Sequence, residues 1–100
     1  MDIKEMQNEI LSVIDGYNNK HSLEHNKELS FYHLVEEIGE LAREIHSDKD
    51  NWRKEFDKEK FSEELADVLA QVLVLAKDFD VDIETAYKNK MSKFRKRFEL

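Results

Sequence analysis

The scarcity of turn-forming residues is the feature that most constrains the fold of this chain. Its 100 residues include no proline and only two glycines, Gly16 and Gly39. β-Sandwiches and barrels need many tight turns, and those turns draw heavily on glycine and proline. We therefore expect long helices joined by few connections, in a single domain that spans residues 1–100.

Apolar residues recur at helical spacing in four segments. We expect helices over residues 3–17, 30–46, about 57–79 and 83–97. The longer connections would be polar loops over residues 18–29 and 47–56. Ser30 and Asp82 are suitable N-caps for the second and fourth helices, whereas the third begins at either Asp57 or Ser62.

The third helix indicates an assembly of several chains. Its middle, residues 65–76, is apolar on nearly every face, and a helix of that kind is buried on all sides. Three neighbouring helices in a chain of this length can hardly provide that cover. We therefore predict an all-α fold of antiparallel helical hairpins that assembles into an oligomeric helical bundle.

The composition argues against several classes of protein. The chain has no cysteine, so it has neither a disulfide framework nor a thiolate metal site. Its first residues lack the pattern of a secretory signal, and no apolar run approaches the ~18 residues of a membrane span. A net charge of −7 disfavours non-specific binding to nucleic acid. We expect a cytoplasmic protein that binds neither membrane nor nucleic acid.

Charge is unevenly distributed along the chain. Residues 86–100 carry six basic side chains and one acidic side chain, whereas the other 85 residues carry ten basic and 22 acidic ones. Basic residues near a helix C-terminus complement the helix macrodipole, and this is one complete explanation. The other is that the basic segment contacts an anionic ligand.

Two acidic pairs lie on consecutive predicted helices. Glu37 and Glu40 are 60° apart on the second helix, and Glu64 and Asp67 are 60° apart on the third. Each pair borders the apolar stripe of its helix. If both flanks face the same side of an antiparallel hairpin, the four carboxylates converge, and no basic side chain lies among them. A glycine within a helix, such as Gly39, often marks the close approach of a ligand or of another backbone, but it can also be an incidental small residue at a helix crossing.

Crowded carboxylates raise one another's pKa, and a hard divalent cation removes that cost. Mg²⁺ prefers oxygen ligands and often bridges carboxylates to substrate phosphates. Zinc is disfavoured because the chain lacks cysteine and a His-x-x-x-His pair. Acidic pairs on exposed helix faces are also common without any ligand, and this remains the alternative for each pair taken alone.

Two segments carry a resemblance to a known family. They are Leu34-Val35-Glu36-Glu37-Ile38-Gly39-Glu40-Leu41-Ala42 and Glu63-Glu64-Leu65-Ala66-Asp67-Val68-Leu69. Together they resemble the Glu-Glu-x-x-Glu and Glu-x-x-Asp helices of the MazG-type nucleotide pyrophosphohydrolases, in the all-α NTP pyrophosphatase superfamily. The similarity continues to residue 98. It implies a Mg²⁺-dependent enzyme, with Mn²⁺ as a substitute, that converts a nucleoside triphosphate to the monophosphate and pyrophosphate as a homodimer or homotetramer.

The resemblance also implies roles for individual residues. The metal ligands would be Glu37, Glu40, Glu64 and Asp67. Glu36 would support them or orient water. Lys93 and Arg97 would lie near the phosphates, with Lys90 as a less secure third contact. From their chemistry and their place near the motif helices, we predict that His25, Phe31 and Trp52 contribute to a base pocket, although ordinary packing would also explain them.

Several functions remain open at the level of the sequence. Phosphoribosyl-ATP pyrophosphohydrolases share this fold and metal chemistry, and dUTPase-like or dCTP-preferring enzymes are close alternatives. A non-catalytic helical module for oligomerisation or regulation is an alternative from another class. The complete set of four carboxylates disfavours it, because repulsive charges beside a core destabilise a protein that has no use for them.

Overall fold

The computed structural model describes the backbone of residues 1–50 and 56–100 and the side chains of residues 1–45 and 56–100. Within those ranges the chain is all-α and contains no strand. The helices are α1 (Ile3–Lys20), α2 (Lys27–Asp50), α3 (Lys58–Asp78) and α4 (Ile83–Arg97). The predicted fold class is confirmed, and the fourth helix has the predicted bounds.

Three of the helices begin at an aspartate. Asp2, Asp57 and Asp82 each accept a hydrogen bond from the backbone N–H three residues further on. These bonds satisfy amides that have no partner inside the helix. The third helix therefore begins at Asp57 rather than at Ser62.

The predicted start of α2 is wrong. The side chain of Asn26 accepts hydrogen bonds from the N–H groups of Glu28 and Leu29, so α2 begins three residues before the position expected from the sequence. Ser30 lies inside the first turn of α2 and is only 6% exposed. The apolar pattern did not reach this first turn, which explains the error.

Three helices end in the same kind of turn, in which one residue has a left-handed backbone conformation. In none of the three is that residue a glycine. Ser22, Asp80 and Glu99 have φ values of 54°, 54° and 57°. After each, the next residue donates its N–H to a carbonyl five residues back. This is the Schellman arrangement, in which glycine is preferred. Because α1 continues through Gly16 to Lys20, the predicted end at residue 17 is wrong.

The long connection between α2 and α3 is shorter than predicted. Residues 47–50 belong to α2, so the expected loop over residues 47–56 is wrong at its start. Residues 51–55, including Trp52, lie outside the described residues.

Helix α3 lies at the centre of the fold. Both α2 and α1 pack against it, whereas α4 makes little contact with the other helices. Among the described residues the buried hydrophobic core is small, and it consists of Leu34, Leu73, Val74 and Ala76. No helix in the described part of the chain is long and apolar enough to span a bilayer.

Phe94 and Phe98 lie one turn apart near the end of α4, where Phe94 is half-buried. Their rings stack on each other with centroids 5.9 Å apart, and Phe98 is 57% exposed. The last turns of α4 therefore present their aromatic and basic side chains largely to solvent.

Candidate metal centre and adjoining cavity

The antiparallel packing of α2 and α3 brings three carboxylates together. Phe31 near the start of α2 lines the same cavity as Phe79 after the end of α3, which fixes the relative direction of the helices. In that register Glu37 meets Glu64 and Asp67. One carboxylate oxygen from each of the three lies within 4.8 Å of the others. We call these three residues the acidic cluster.

The electrostatics of the acidic cluster are unfavourable for a protein without a bound cation. Burial raises the pKa of the Glu37 carboxyl from 4.5 to about 7, helped by a hydrogen bond with Glu64 and by the charges of Asp67 and Glu64. Oε2 of Glu64 is buried and has no hydrogen-bond partner in the described part of the chain. A carboxylate oxygen in that position is shielded from solvent and has no donor among the described residues.

The donor set fits a hard divalent cation. Three carboxylates supply oxygen ligands only, which suits Mg²⁺ or Mn²⁺ rather than a soft metal. Mg²⁺ commonly keeps several waters, so three protein ligands are enough. The unsatisfied oxygen of Glu64 and the raised pKa of Glu37 are both relieved by a bound cation.

Glu40, the fourth predicted ligand, lies outside the acidic cluster. It is exposed, and its Oε1 lies 3.4 Å from Nη1 of Arg43. The expectation that no basic side chain would lie among the four carboxylates is therefore wrong at Glu40. Glu36 is also exposed. The metal-binding role of Glu40 and the supporting role of Glu36 stay predictions.

Gly39 makes no close approach to another group. A Cβ atom built at this position would meet no other atom of the described structure within 4 Å. The suggestion that Gly39 marks close packing of another backbone is therefore wrong for the described residues.

A cavity of about 560 Å³ lies between α1, the loop after it, and the α2–α3 pair. Its lining includes Tyr17, His25, His33 and Gln71. His33 is four residues before Glu37 on α2, and Gln71 is four residues after Asp67 on α3. The cavity thus begins about one helical turn, ~5.4 Å, from the acidic cluster. It combines ring and amide groups with apolar walls, as small-molecule pockets do.

His25 is held at the wall of this cavity. Its Nε2 lies 2.7 Å from Oδ1 of Asp78 at the end of α3, and 3.4 Å from Oγ of Ser30. The pair joins the loop between α1 and α2 to the last residue of α3.

Two of the three predicted base-pocket residues, His25 and Phe31, line different cavities. His25 lines the cavity beside α1, whereas Phe31 lines a different cavity of about 300 Å³ with Tyr32, Leu75 and Phe79. Trp52 lies outside the described residues. Location beside the acidic cluster thus favours His25 over Phe31 as a base-pocket residue, and the assignment of all three residues stays a prediction.

The basic residues Lys90, Lys93 and Arg97 of α4 are exposed. Neither Lys93 nor Arg97 makes an ion pair with a carboxylate of the described residues. The guanidinium of Arg97 lies 5.6 Å from the ring centre of Phe98, and Nζ of Lys90 lies 5.1 Å from that of Phe94. Their assignment to phosphate binding stays a prediction.

Comparison with known proteins decides the family. The model of the MazG nucleotide pyrophosphohydrolase domain matches residues 25–99 of this chain. The chain belongs to the MazG family. The resemblance seen in the two acidic helices is therefore confirmed, and a MazG domain accounts for most of the described structure.

Two similar proteins come from Bacillus subtilis (strain 168). This chain is 40% identical over 67 residues to the uncharacterized protein YpjD, covering 64% of this chain and 60% of YpjD. It is 35% identical over 75 residues to the uncharacterized protein YvdC, covering 66% of this chain and 70% of YvdC. No solved structure shows a significant match.

The MazG match includes the acidic cluster and α4 but begins after α1. Residues that α1 contributes to the cavity, such as Tyr17, were therefore not indicated by the family motifs. His33 and Gln71 were also missed, although a spacing of four residues from Glu37 and Asp67 could have found them. The sequence motifs did not single out Asp78 either.

Proposed function

We propose that this MazG domain is a divalent-cation-dependent pyrophosphohydrolase that converts a nucleoside triphosphate and water to the nucleoside monophosphate and pyrophosphate. The acidic cluster is the observation that carries the proposal. Glu37, Glu64 and Asp67 lie together without a basic side chain among them, and a nucleotide-sized cavity begins one turn away. Mg²⁺ is the proposed physiological cation, with Mn²⁺ as a substitute.

Glu37, Glu64 and Asp67 would hold the cation, and Glu40 would join them when its contact with Arg43 is released. A bound divalent cation supplies charge neutralisation for phosphate oxygens and acidifies coordinated water. The protein's own contribution is mostly positioning, as is usual for reactions at phosphate. Glu37 must release its proton to bind the cation, since a raised pKa keeps that proton near neutral pH.

The rest of the nucleotide would be bound by two groups of residues. His25 and Gln71 line the cavity and offer hydrogen bonds to the nucleoside. Lys93 and Arg97 would neutralise phosphate charge from the other side, with Lys90 beside them. Charged donors at phosphate are most effective when they act on charge that develops in the transition state.

We also propose that the protein works as a homo-oligomer. The spacing of exposed apolar residues gives α2 and α3 an apolar face each, and Phe31 and Phe79, one from each face, line a shared cavity. We call the two together the apolar face. Its members are 45–61% exposed, and they are Phe31, Val35, Ile38, Ile45, Leu65 and Phe79.

A second copy of this chain is the occupant that the apolar face fits. The spacing from residue 31 to 45 on α2, and from 65 to 79 on α3, makes the face about 21 Å long on both helices. Two such hairpins would form a four-helix bundle. The small core described above gives a lone chain little stabilisation, whereas pairing would bury this face. Phe31 would then be an interface residue rather than part of the base pocket.

Pyrophosphate release tests the proposed activity. The wild-type protein is incubated with canonical and damaged nucleoside triphosphates and with phosphoribosyl-ATP, with Mg²⁺ or EDTA. Turnover should need Mg²⁺ and yield monophosphate with pyrophosphate. Asp67→Asn should abolish turnover, while Glu63→Gln, an exposed carboxylate on the same helix, serves as the matched control. A protein that turns over no substrate in this panel would favour the non-catalytic oligomerisation module.

The panel also separates the closer alternatives. Preference for phosphoribosyl-ATP, dUTP or dCTP would assign the protein to the corresponding group of enzymes. The cytoplasmic location expected from the sequence stays a prediction.

A further inference from the structure

We infer that Asp78 is a positioning residue that fixes the orientation and tautomer of His25, so that Nδ1 of His25 is the ring nitrogen offered to a nucleoside in the adjoining cavity. This inference rests on the proposed function, because it assigns the occupant of that cavity. It concerns a residue on α3 that lies eleven positions beyond Asp67 and outside the acidic cluster.

The contact between the two residues is short and shielded. Nε2 of His25 lies 2.7 Å from Oδ1 of Asp78, and the Asp78 side chain is only 7% exposed. Oδ2 of Asp78 is buried and has no hydrogen-bond partner in the described part of the chain. The hydrogen bonding of this carboxylate among those residues is therefore concentrated on His25.

Helix stability does not explain an aspartate at this place. Asp78 is the last residue of α3, where the macrodipole disfavours negative charge. Burial without a second hydrogen bond is also unfavourable for a carboxylate. A residue that costs stability in two ways, and contacts a histidine at a cavity wall, is better explained by what it does to that histidine.

The geometry determines which ring nitrogen remains for a ligand. A carboxylate accepts a hydrogen bond, so the proton of a neutral His25 lies on Nε2 and the lone pair on Nδ1. Ser30 Oγ, at 3.4 Å, approaches the same Nε2. A nucleophilic Ser-His-Asp relay needs its two partners on opposite ring nitrogens, so these three residues do not form one. Among the described residues, none hydrogen-bonds to Nδ1.

The structural alternative is a tie that merely fastens the α1–α2 loop to α3. A tie of that kind would lower the free energy of unfolding in either single variant and would leave KM for the nucleotide unchanged. A positioning role raises KM, and it does so only through His25. The two therefore differ in KM measured beside the urea midpoint, and a double-mutant cycle on KM shows whether Asp78 acts through His25.

The experiment measures kcat, KM and the urea midpoint for His25→Ala, Asp78→Ala and the double variant, using the best substrate of the panel. Each single change should raise KM about fivefold, the effect of losing one hydrogen bond to the substrate, and change kcat less than twofold. The double variant should be no worse than His25→Ala alone. Asp80→Asn, exposed and two residues away, is the control and should leave KM unchanged.

A second measurement reads the tautomer directly in the free protein. Imidazole ¹⁵N shifts at pH 8.5 should show the proton of His25 on Nε2 in the wild type and a mixture of tautomers in Asp78→Ala. Effects of His25→Ala and Asp78→Ala that multiply in the double variant, an unchanged KM in Asp78→Ala, or a wild-type proton on Nδ1 would each overturn the inference. Those results leave the proposed activity intact. A wild-type protein without nucleotide turnover would instead overturn the proposed function on which the inference rests.

Discussion

Replacing Glu64 with glutamine should stabilise the metal-free protein and weaken its response to Mg²⁺. The side chain of Glu64 forms the hydrogen bond that helps raise the pKa of Glu37, and its charge adds repulsion. Its buried Oε2 has no hydrogen-bond partner in the described residues. Glutamine keeps the shape, removes one negative charge and adds a donor that can reach a carboxylate.

The magnitude follows from the pKa of Glu37. A rise from 4.5 to about 7 corresponds to ~3 kcal/mol for a group fully shielded from solvent. Glu37 is only half-buried, so solvent screening reduces the effect, and burial, the largest cause, is not removed by the substitution. We therefore expect Glu64→Gln to raise the free energy of unfolding by about 0.5–1 kcal/mol at pH 8.

The sign of the pH dependence is fixed by the direction of the pKa change. The folded state holds the Glu37 proton up to about pH 7, whereas the unfolded state loses it near 4.5. In the metal-free protein, the contribution of Glu37 to the free energy of unfolding should be fully present below pH 4.5 and should be lost as the pH rises through 7. At pH 5 Glu37 is protonated and the repulsion is already relieved. Glu64→Gln should therefore raise the free energy of unfolding less at pH 5 than at pH 8.

Urea unfolding in EDTA and in saturating Mg²⁺, at pH 5 and pH 8, provides the assay. Glu63→Gln removes the same charge from an exposed neighbour and is the matched control. Mg²⁺ should stabilise the wild type more at pH 8 than at pH 5, because proton and cation compete for Glu37. The reasoning is refuted if Glu64→Gln and Glu63→Gln have equal urea midpoints and equal responses to Mg²⁺.

Three further predictions follow from the same structure. Asp67→Asn should lower kcat/KM at least ~100-fold while leaving the far-ultraviolet circular dichroism unchanged; near-normal turnover would remove Asp67 from the site. Lys93→Ala combined with Arg97→Ala should lower kcat/KM at least tenfold but shift the free energy of unfolding by less than ~1 kcal/mol. An unchanged kcat/KM would return the basic segment to helix-dipole chemistry. Ile38→Glu should convert the oligomer to smaller species in light scattering, and an unaltered mass would place the interface elsewhere.

The sequence predicted what depends on periodic pattern. The spacing of apolar residues located all four helices, and the pairing of Glu37 with Glu64 and Asp67 followed from two adjacent amphipathic helices. Helix ends were harder. Ser22 and Asp80 form left-handed turns that usually contain glycine, so the ordinary stop signal was absent, and Gly16 gave a false one.

Side-chain partners were the part that pattern could not supply. The contact of Glu40 with Arg43 is an exception, because opposite charges three residues apart on a helix attract and their spacing alone could have indicated it. Asp78 lies 53 positions from His25 in the chain. No local spacing rule connects residues so far apart, so only the packing of α1, α2 and α3 reveals the contact.

The demands on α3 explain why it is apolar on so many faces and still carries acidic side chains. One side packs on α1, a second packs on α2 and places Glu64 and Asp67 in the acidic cluster, and a third belongs to the apolar face. Repulsion among the carboxylates on the second side weakens the packing of α3 against α2, and the small core does little to offset it. Cation binding relieves the second side and pairing of two copies covers the third. Folding, assembly and metal binding should therefore stabilise one another by mass action, so that Mg²⁺ favours the oligomer and raises the melting temperature most when the protein is concentrated.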